Sequence, residues 1–469
     1  MKRHDIPTFT AACAIAVILT ACGSSGDHSV PGDGAAGSGD GTGGSGASST
    51  GGASSGGSTS HAGTTGAGGA TGTGGGQSGT GGASGAKGSG GGNTTGAGGG
   101  SSGSGGSTTG KGGSTGTAGA SGTGGATNPM ITTHCTSALP AGAKAADVSK
   151  PTVVGTGTAA SCTYAALKDA VTKAGVITFD CGTAPVTIAV TATLSLSTKT
   201  DTVIDGGNLV TLDGGNAVQI LNYNSGNWMA LETRVTLQHL TLINAKTTPT
   251  KAIPTAPAPC SQGFDDGEGG ALYMRDGNLT VVDCTFSNNQ AAELGPDTGG
   301  GAIYITGSKH GAIIVGSVFT GNSAANAGAV GGLFAELDIY DSLFENNTAS
   351  GHGANNDDAS MCSVMNNGQH EVGSGGNGAA IYQDGASATN VVLCGDDIED
   401  NKAGMGGFGG GVFMTSNDYS GTMTVRDTTV TGNTGGAWTH VQQGNVNLGS
   451  AFGVNAKSAT VENSTLQGQ

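Results

Sequence analysis

Between Gly269 and Asn433, apolar and polar positions alternate in short bursts that recur along the chain. Five segments close alike: Phe286-Ser-Asn-Asn289, Phe319-Thr-Gly-Asn322, Phe344-Glu-Asn-Asn347, Ile398-Glu-Asp-Asn401 and Val430-Thr-Gly-Asn433. Five residues before each closing apolar residue stand Val281, Ile314, Ile339, Leu393 and Val425; seven before stand Leu279, Ala312, Leu337, Val391 and Met423. The position between them is mixed: Thr280, Ile313, Asp338, Val392 and Thr424. Alternation of this kind predicts strands with one buried face. Asp283, Gly316, Asp341, Gly395 and Asp427 then mark a corner between strands. Each segment opens on small residues and an apolar one, as in Gly270-Ala271-Leu272, Gly301-Ala302-Ile303, Gly328-Ala329-Val330, Ala379-Ala380-Ile381 and Gly411-Val412-Phe413. Within the second of these repeats, strands are expected over about 302–306, 312–315 and 317–320.

Three short strands per repeat cannot bury an inner face alone, but stacked repeats bury one another's. The pattern therefore predicts an all-β solenoid, a parallel β-helix with three strands per coil. The Asn column, Asn289, Asn322, Asn347, Asn401 and Asn433, is read as a structural ladder. Asn tolerates the left-handed corner conformation, and identical side chains in successive coils can hydrogen-bond along the stack. Upstream, Ile177–Phe179, Val186–Ile188, Thr193–Leu196, Thr202–Ile204, Val210–Leu212 and Val235–Leu242 also alternate, with Asp205-Gly-Gly207 and Asp213-Gly-Gly215 as turns. Leu167, Ala170, Val171 and Ala174 fall at helical spacing before Gly175. One short helix there would cap the first coil, whose apolar end is otherwise open.

The Gly301-Ala302-Ile303 opening with the Phe319-Thr-Gly-Asn322 close resembles the GGAI and FxxN repeats of polymorphic outer-membrane proteins. More broadly, the region is similar to bacterial right-handed parallel β-helix proteins of the pectate-lyase-like superfold, a likeness that implies a right-handed parallel β-helix here too. The repeat resemblance covers about 269–433, and the coarser one reaches back to about 176. Polymorphic outer-membrane proteins end in an autotransporter barrel, whereas this chain runs to Gln469 without one. The superfold implied here holds pectate lyases, pectin-degrading hydrolases and many non-enzymes, so the resemblance speaks to fold more than to activity.

Composition sets the repeat region apart from what precedes it. Of 469 residues, 94 are Gly, and roughly half of these fall between Gly23 and Gly125. That stretch is Gly, Ser, Thr and Ala, with too little apolar surface to offset its ordering entropy. Residues 22–127 are expected to be a disordered tether, which as a coil of about 105 residues reaches roughly 50–60 Å. Before it, Lys2 and Arg3 precede a short apolar run that ends Leu19-Thr20-Ala21-Cys22. This resembles a bacterial lipoprotein signal peptide over residues 1–21, with Cys22 as the lipidated residue. The expected organisation is signal 1–21, tether 22–127 and β-helix domain 128–469, exported and lipid-anchored at the outer membrane or cell surface of a Gram-negative bacterium. Lipid then replaces the barrel as anchor.

The formal net charge is −16, and no Lys/Arg cluster stands out, so nucleic acid is not an expected partner. Export permits disulfides among Cys135, Cys162, Cys181, Cys260, Cys284, Cys362 and Cys394. Cys162 with Cys181 is the first expected pair, because they bracket one helix and one strand; Cys362 with Cys394 is the second.

Candidate chemistry is sparse. A calcium site would draw on Asp265, Asp266 and Glu268 in one loop and Asp357 and Asp358 in an insertion over about 350–378, since Ca²⁺ takes six to eight oxygens. The same carboxylates equally serve as solvated acidic loops. A lyase needs a base near such a cluster, and Arg275 and Lys309 are nearest in type; a hydrolase needs grouped carboxylates, for which Asp396-Asp397 is the closest match. Adjacent strand residues point to opposite faces, so that pair does not converge by itself. His310 and His352 read as surface residues, and His370-Glu371 lacks a second His at ligand spacing. Tyr273, Tyr304 and Tyr382 recur after the glycine openings, as a stacked column or a platform for sugar rings. No catalytic residue is assigned. The expected function is a lipid-anchored, non-enzymatic surface protein for adhesion or carbohydrate binding, with another surface protein as a further partner class. The alternative is a polysaccharide lyase or glycoside hydrolase on the same scaffold.

Overall fold

In the computed structural model the described residues are 131–250, 267–295, 297–352, 365–366, 369–370, 375–386, 389–435 and 447–468. They form a parallel β-helix. One sheet stacks eight strands in parallel, running from Leu194–Ser195 through Leu272–Arg275, Ile303–Thr306 and Val412–Ser416 to Phe452–Asn455. The other two faces stack, for example, Ala312–Val315 on Leu337–Tyr340, and Val318–Thr320 on Leu343–Glu345. The apolar columns pair in register: Leu279↔Ala312↔Leu337↔Val391↔Met423, and Val281↔Ile314↔Ile339↔Leu393↔Val425. All ten side chains are buried, and each contributes on the order of 1.5–3 kcal/mol for an average aliphatic chain. The closing column stacks ring on ring, Phe286 on Phe319 at 4.9 Å and Phe319 on Phe344 at 4.7 Å, then continues as Ile398, Val430 and Leu466.

The corners work through a stacking rule. Left-handed backbone falls at Asp283, Gly316, Asp341, Gly395 and Asp427, and at Asn288, Gly321, Asn346, Asp400 and Gly432. A Cβ on Gly316 would meet the Asp283 carboxylate, and one on Gly321 would lie 2.7 Å from Asn288 Oδ1. At these positions an Asp or Asn of one coil projects onto a Gly of the next, which leaves it room, whereas Asn346 is followed by Asp400. This corrects one expectation: the ladder Asn is not itself the left-handed residue. The residue before it takes that conformation, which turns the Asn side chain into the stack.

Asp205-Gly206-Gly207 is also not a turn between strands. It lies within Thr202–Asp213, which pairs with Arg234–Ile243 on both sides of a register shift between Asp205 and Val210. Asp205 Oδ1 accepts from Gly207 N at 2.8 Å, so the bulge supplies its own acceptor.

Two polar ladders run through the stack. Asn322 Oδ1 accepts from both the backbone N and Nδ2 of Asn289, each at 2.9 Å; Asn347, Asn401 and Asn433 repeat this for their predecessors. Each Nδ2 also donates to a carbonyl one coil back, as Asn347 does to Phe319 O at 2.9 Å. Gln467 takes the last rung, its Oε1 accepting from Asn433 N at 2.8 Å. The second ladder uses hydroxyls. Cys284 N donates to Ser317 Oγ, Ser317 N to Ser342 Oγ, Ser342 N to Asp396 Oδ1, Asp396 N to Thr428 Oγ1 and Thr428 N to Ser464 Oγ.

The N-terminal end is closed by a helix, α1 (Tyr164–Lys173), which packs Leu167, Ala170 and Val171 against the first strands. Thr163 Oγ1 caps it, accepting from Ala166 N at 3.2 Å. Cys162 is bonded to Cys181 beside this cap. Cys394 is bonded to Cys135, not to Cys362 as the sequence suggested. The expectation favoured the nearer cysteine, but an N-terminal arm over 131–147 lies across the outside of the stack and delivers Cys135 from 259 residues away. Cys362 lies outside the described residues. Cys284 is a free, buried thiol whose pKa is pushed up to about 12 by that burial.

Candidate functional site

Inner-face residues are spent on the core, so binding must use the outer faces and corners. Of the carboxylates nominated for chemistry, Asp397 is already committed there, beside the corner residues Asp341 and Asp427. Asp397 accepts from Thr132 N at 3.0 Å and Thr133 N at 3.1 Å. Asp341 Oδ1 accepts from Cys135 N at 2.6 Å, and Asp427 Oδ2 from Thr136 N at 2.9 Å. These three hold the arm. Asp396 points the other way, into the hydroxyl ladder, with Oδ2 unpartnered among the described residues. Burial drives its pKa well above the ordinary carboxylate range. The Asp396-Asp397 pair therefore diverges, one into the ladder and one onto the arm.

Of the calcium candidates, Asp265, Asp266, Asp357 and Asp358 lie outside the described residues. Glu268 is buried, and its backbone carbonyl accepts from Gln219 Nε2 at 3.1 Å. Among the described residues, Cys135, Cys394 and Asp427 are grouped closely enough for a metal, but the two sulfurs are joined to each other. Cys22 and Glu371 lie outside the described residues, and His370 is described only in its backbone, in the short strand Gln369–His370. No described helix is long and apolar enough to cross a membrane.

The tyrosine column resolves toward stacking. Tyr273 and Tyr304 stack at 6.4 Å, and Tyr382 stacks on Phe413 at 5.3 Å. Between them Gly331 stands in register, and a Cβ there would lie 2.7 Å from the Tyr304 ring. Tyr304 and Tyr382 are each 2% exposed, under loops that include Ala327 and Phe408, so they offer no face to a sugar. Asp384, which accepts from Tyr382 and Asn417, is raised to about 6 by burial.

The corner that follows the eight-stranded sheet has a different character. There the loop over 225–233 lays Trp228 across several coils. Its ring lies against Gly307, meets Phe334 edge-on at 5.7 Å, and carries the Arg275 guanidinium at 5.8 Å. Trp228 remains 44% exposed and Met229 40% exposed. Beside them is a shallow cleft of about 120 Å³ lined by Met229, Ser308, Lys309, Phe334, Glu336 and Thr389. Glu232 at its rim accepts from His310 Nε2 at 2.7 Å and from Lys309 Nζ; these two bonds hold its carboxyl below the usual range. Met229, Phe334 and Tyr419 all adopt left-handed backbone at φ 50–54° on this corner. Bulky residues avoid that conformation, and such strain concentrates where a surface is shaped for contact. The cleft joins charge of both signs to exposed apolar surface, the composition of a binding surface; Lys309 is paired with Glu232 rather than poised as a base. Sequence reasoning named Lys309, His310 and Arg275 but missed Trp228, Met229 and Phe334. Each sits outside the repeat columns, and only the folded corner brings them together.

No protein-family model matches the chain, and no curated protein is similar to it. Among solved structures the chain is similar to the crystal structure of PfbA, a surface adhesin of Streptococcus pneumoniae. That likeness has 12% identity and a TM-score of 0.28, over 68% of this chain and 82% of that one. The assignment as a parallel β-helix rests on the strand register described above.

Proposed function

We propose that the chain is a lipid-anchored surface protein that holds a rigid β-helix away from an outer membrane and binds polysaccharide or another surface protein, without catalysis. Support for display comes from the Cys22 signal and the Gly/Ser/Thr tether. The observation that carries binding is the corner at Trp228, where exposed apolar surface, strained backbone and a charged rim coincide on an otherwise regular scaffold. A stiff stack presents such a corner at low ordering cost.

The test is a glycan array and whole-cell binding assay on the full chain, with and without Ca²⁺, beside a Trp228→Ala, Met229→Ala variant. Loss of about tenfold or more in affinity, with unchanged circular dichroism, is the expected result. Equal binding by the variant sinks the corner as the site. Release of unsaturated or reducing sugar from any polysaccharide tested overturns the non-catalytic reading.

A further inference from the structure

The N-terminal arm meets the later coils first and from Thr136 onward runs back against the direction of stacking. Ile131 packs on Val318 and Leu343, and Thr132 and Thr133 bind Asp397. Cys135 is bonded to Cys394, and Leu139 and Ala143 cover Val315, Tyr340 and neighbours. Ala146 N then donates to Gln238 Oε1 at 2.7 Å, far back along the stack. Only after this does the chain form Thr152–Val154 at the capped end, pairing with Gly175–Phe179. The upstream segment thus joins the molecule beside its later coils, although the first coil is built next in sequence.

The surface is fitted to this arm. Asp341 and Asp427 reach out from left-handed corners, and between them Gly395 carries no side chain. A Cβ on Gly395 would occupy the path of His134 and Cys135. Four backbone N–H groups of the arm meet carboxylates from three different coils. A disulfide placed only to stabilise the cap would join neighbouring elements, as Cys162–Cys181 does. Cys135–Cys394 instead fastens the root of the upstream segment to a distant coil.

We propose that the Cys135–Cys394 bond carries tension past the cap: a pull on residues 22–127 enters the stack at Cys394 and never reaches the cap. This rests on the reading of 22–127 as a tether. Under load the carboxylate contacts alone would peel one after another, and the cap, held at Thr152–Val154 by three paired residues, would unravel next. The covalent bond short-circuits that path. A dithiol reductant opens it by attacking one sulfur and closing on itself as a disulfide, which leaves Cys135 and Cys394 as two thiols.

Single-molecule pulling on the full chain, with handles at its two termini, tests this. The oxidised chain should extend without the 259-residue span between the cysteines, a shortfall of roughly 850–930 Å in extended length. Its first rupture should come from coils after Cys394. With dithiothreitol the arm should detach first at lower force, the cap should follow, and the missing length should appear. A Cys135→Ser, Cys394→Ser variant, which keeps the Cys162–Cys181 bond beside the cap and so stays shorter by that 19-residue span, should lose the arm first as the reduced chain does; because dithiothreitol acts on protein already folded, a folding defect in the variant does not blur the outcome. If the reduced chain ruptures in the same order and at the same force as the oxidised one, the noncovalent contacts carry the load and the proposal fails. It also fails if the oxidised chain extends to full length. Failure of the tether reading looks different: residues 22–127 would then give rupture peaks of their own before any event in the coils.

Discussion

The amide ladder and the hydroxyl ladder run through the same coils and solve the same problem with different chemistry. Each satisfies buried backbone groups that a tight corner leaves without a strand partner. Asn supplies an acceptor and two donors, so every rung from Asn289 to Asn433 is tied to the rung before and the rung after. A hydroxyl has one donor, which Ser317, Ser342 and Thr428 each spend on a carbonyl two residues back. Each hydroxyl rung therefore gives one link to its neighbour where the amide gives two. The amide ladder accordingly admits only its own kind, plus Gln467 at the last rung, whereas the hydroxyl ladder accepts Ser, Thr, Cys284 and even Asp396.

The strongest way to break this comparison is Asn347→Ala. It leaves Asn322 N and one Asn322 Nδ2 hydrogen buried without partners and takes from Phe319 O the donor it has outside the strand ladder. At about 1–3 kcal/mol for each orphaned group, the expected loss is about 3–5 kcal/mol in denaturant unfolding. A loss under about 1 kcal/mol would mean that water replaces the rung. Ser342→Ala removes one acceptor for Ser317 N and one donor to Tyr340 O. About 1–3 kcal/mol should be lost, measured the same way. If the two substitutions cost the same, the ladders are equivalent and the distinction above is wrong.

How much of this was legible in the sequence follows from the same contrast. The Asn column, the Phe column and the two inner apolar columns could be read directly, because stacking repeats one environment at one position in every coil. The hydroxyl ladder could not, since Cys284, Ser317, Ser342, Asp396, Thr428 and Ser464 share a geometry rather than a residue type. The alternation of Asp with Gly from Asp283 to Asp427 was visible as turn chemistry, but its cause, one side chain filling the next coil's Cβ position, needs the stack. The arm was invisible for a third reason: residues 131–147 have no period, and their partners lie on strands from Gln238 to Asp427. The corner at Trp228 fails likewise, as its residues come from loops that the repeat leaves unconstrained.

The smallest expected effect is the most diagnostic. Asp396 stands where the ladder elsewhere places a hydroxyl. Its Oδ1 does the acceptor's job for Ser342 N at 2.9 Å, while its Oδ2 stays buried and unpartnered. Only the protonated acid can act as Ser does, because only it carries a hydrogen to donate. Burial, with Asp341 and Asp397 nearby, raises its pKa, so in the fold the proton is held more tightly than in the unfolded chain. The unfolded carboxyl titrates near 3.9. Below that pH both states are protonated and the fold pays no penalty; as pH rises through it, the unfolded chain gains by ionising while the folded one resists, so stability falls. Asp396→Ser should therefore match the parent near pH 3 and be more stable by about 1–2 kcal/mol at pH 7, where the buried acid is replaced by a satisfied hydroxyl. Other raised carboxyls, such as Asp338 at about 6, titrate in both proteins and cancel in the difference. A difference curve that is flat from pH 3 to 7 would show that Asp396 ionises in place, and the hydroxyl ladder would then contain a true charge rather than a protonated stand-in for serine.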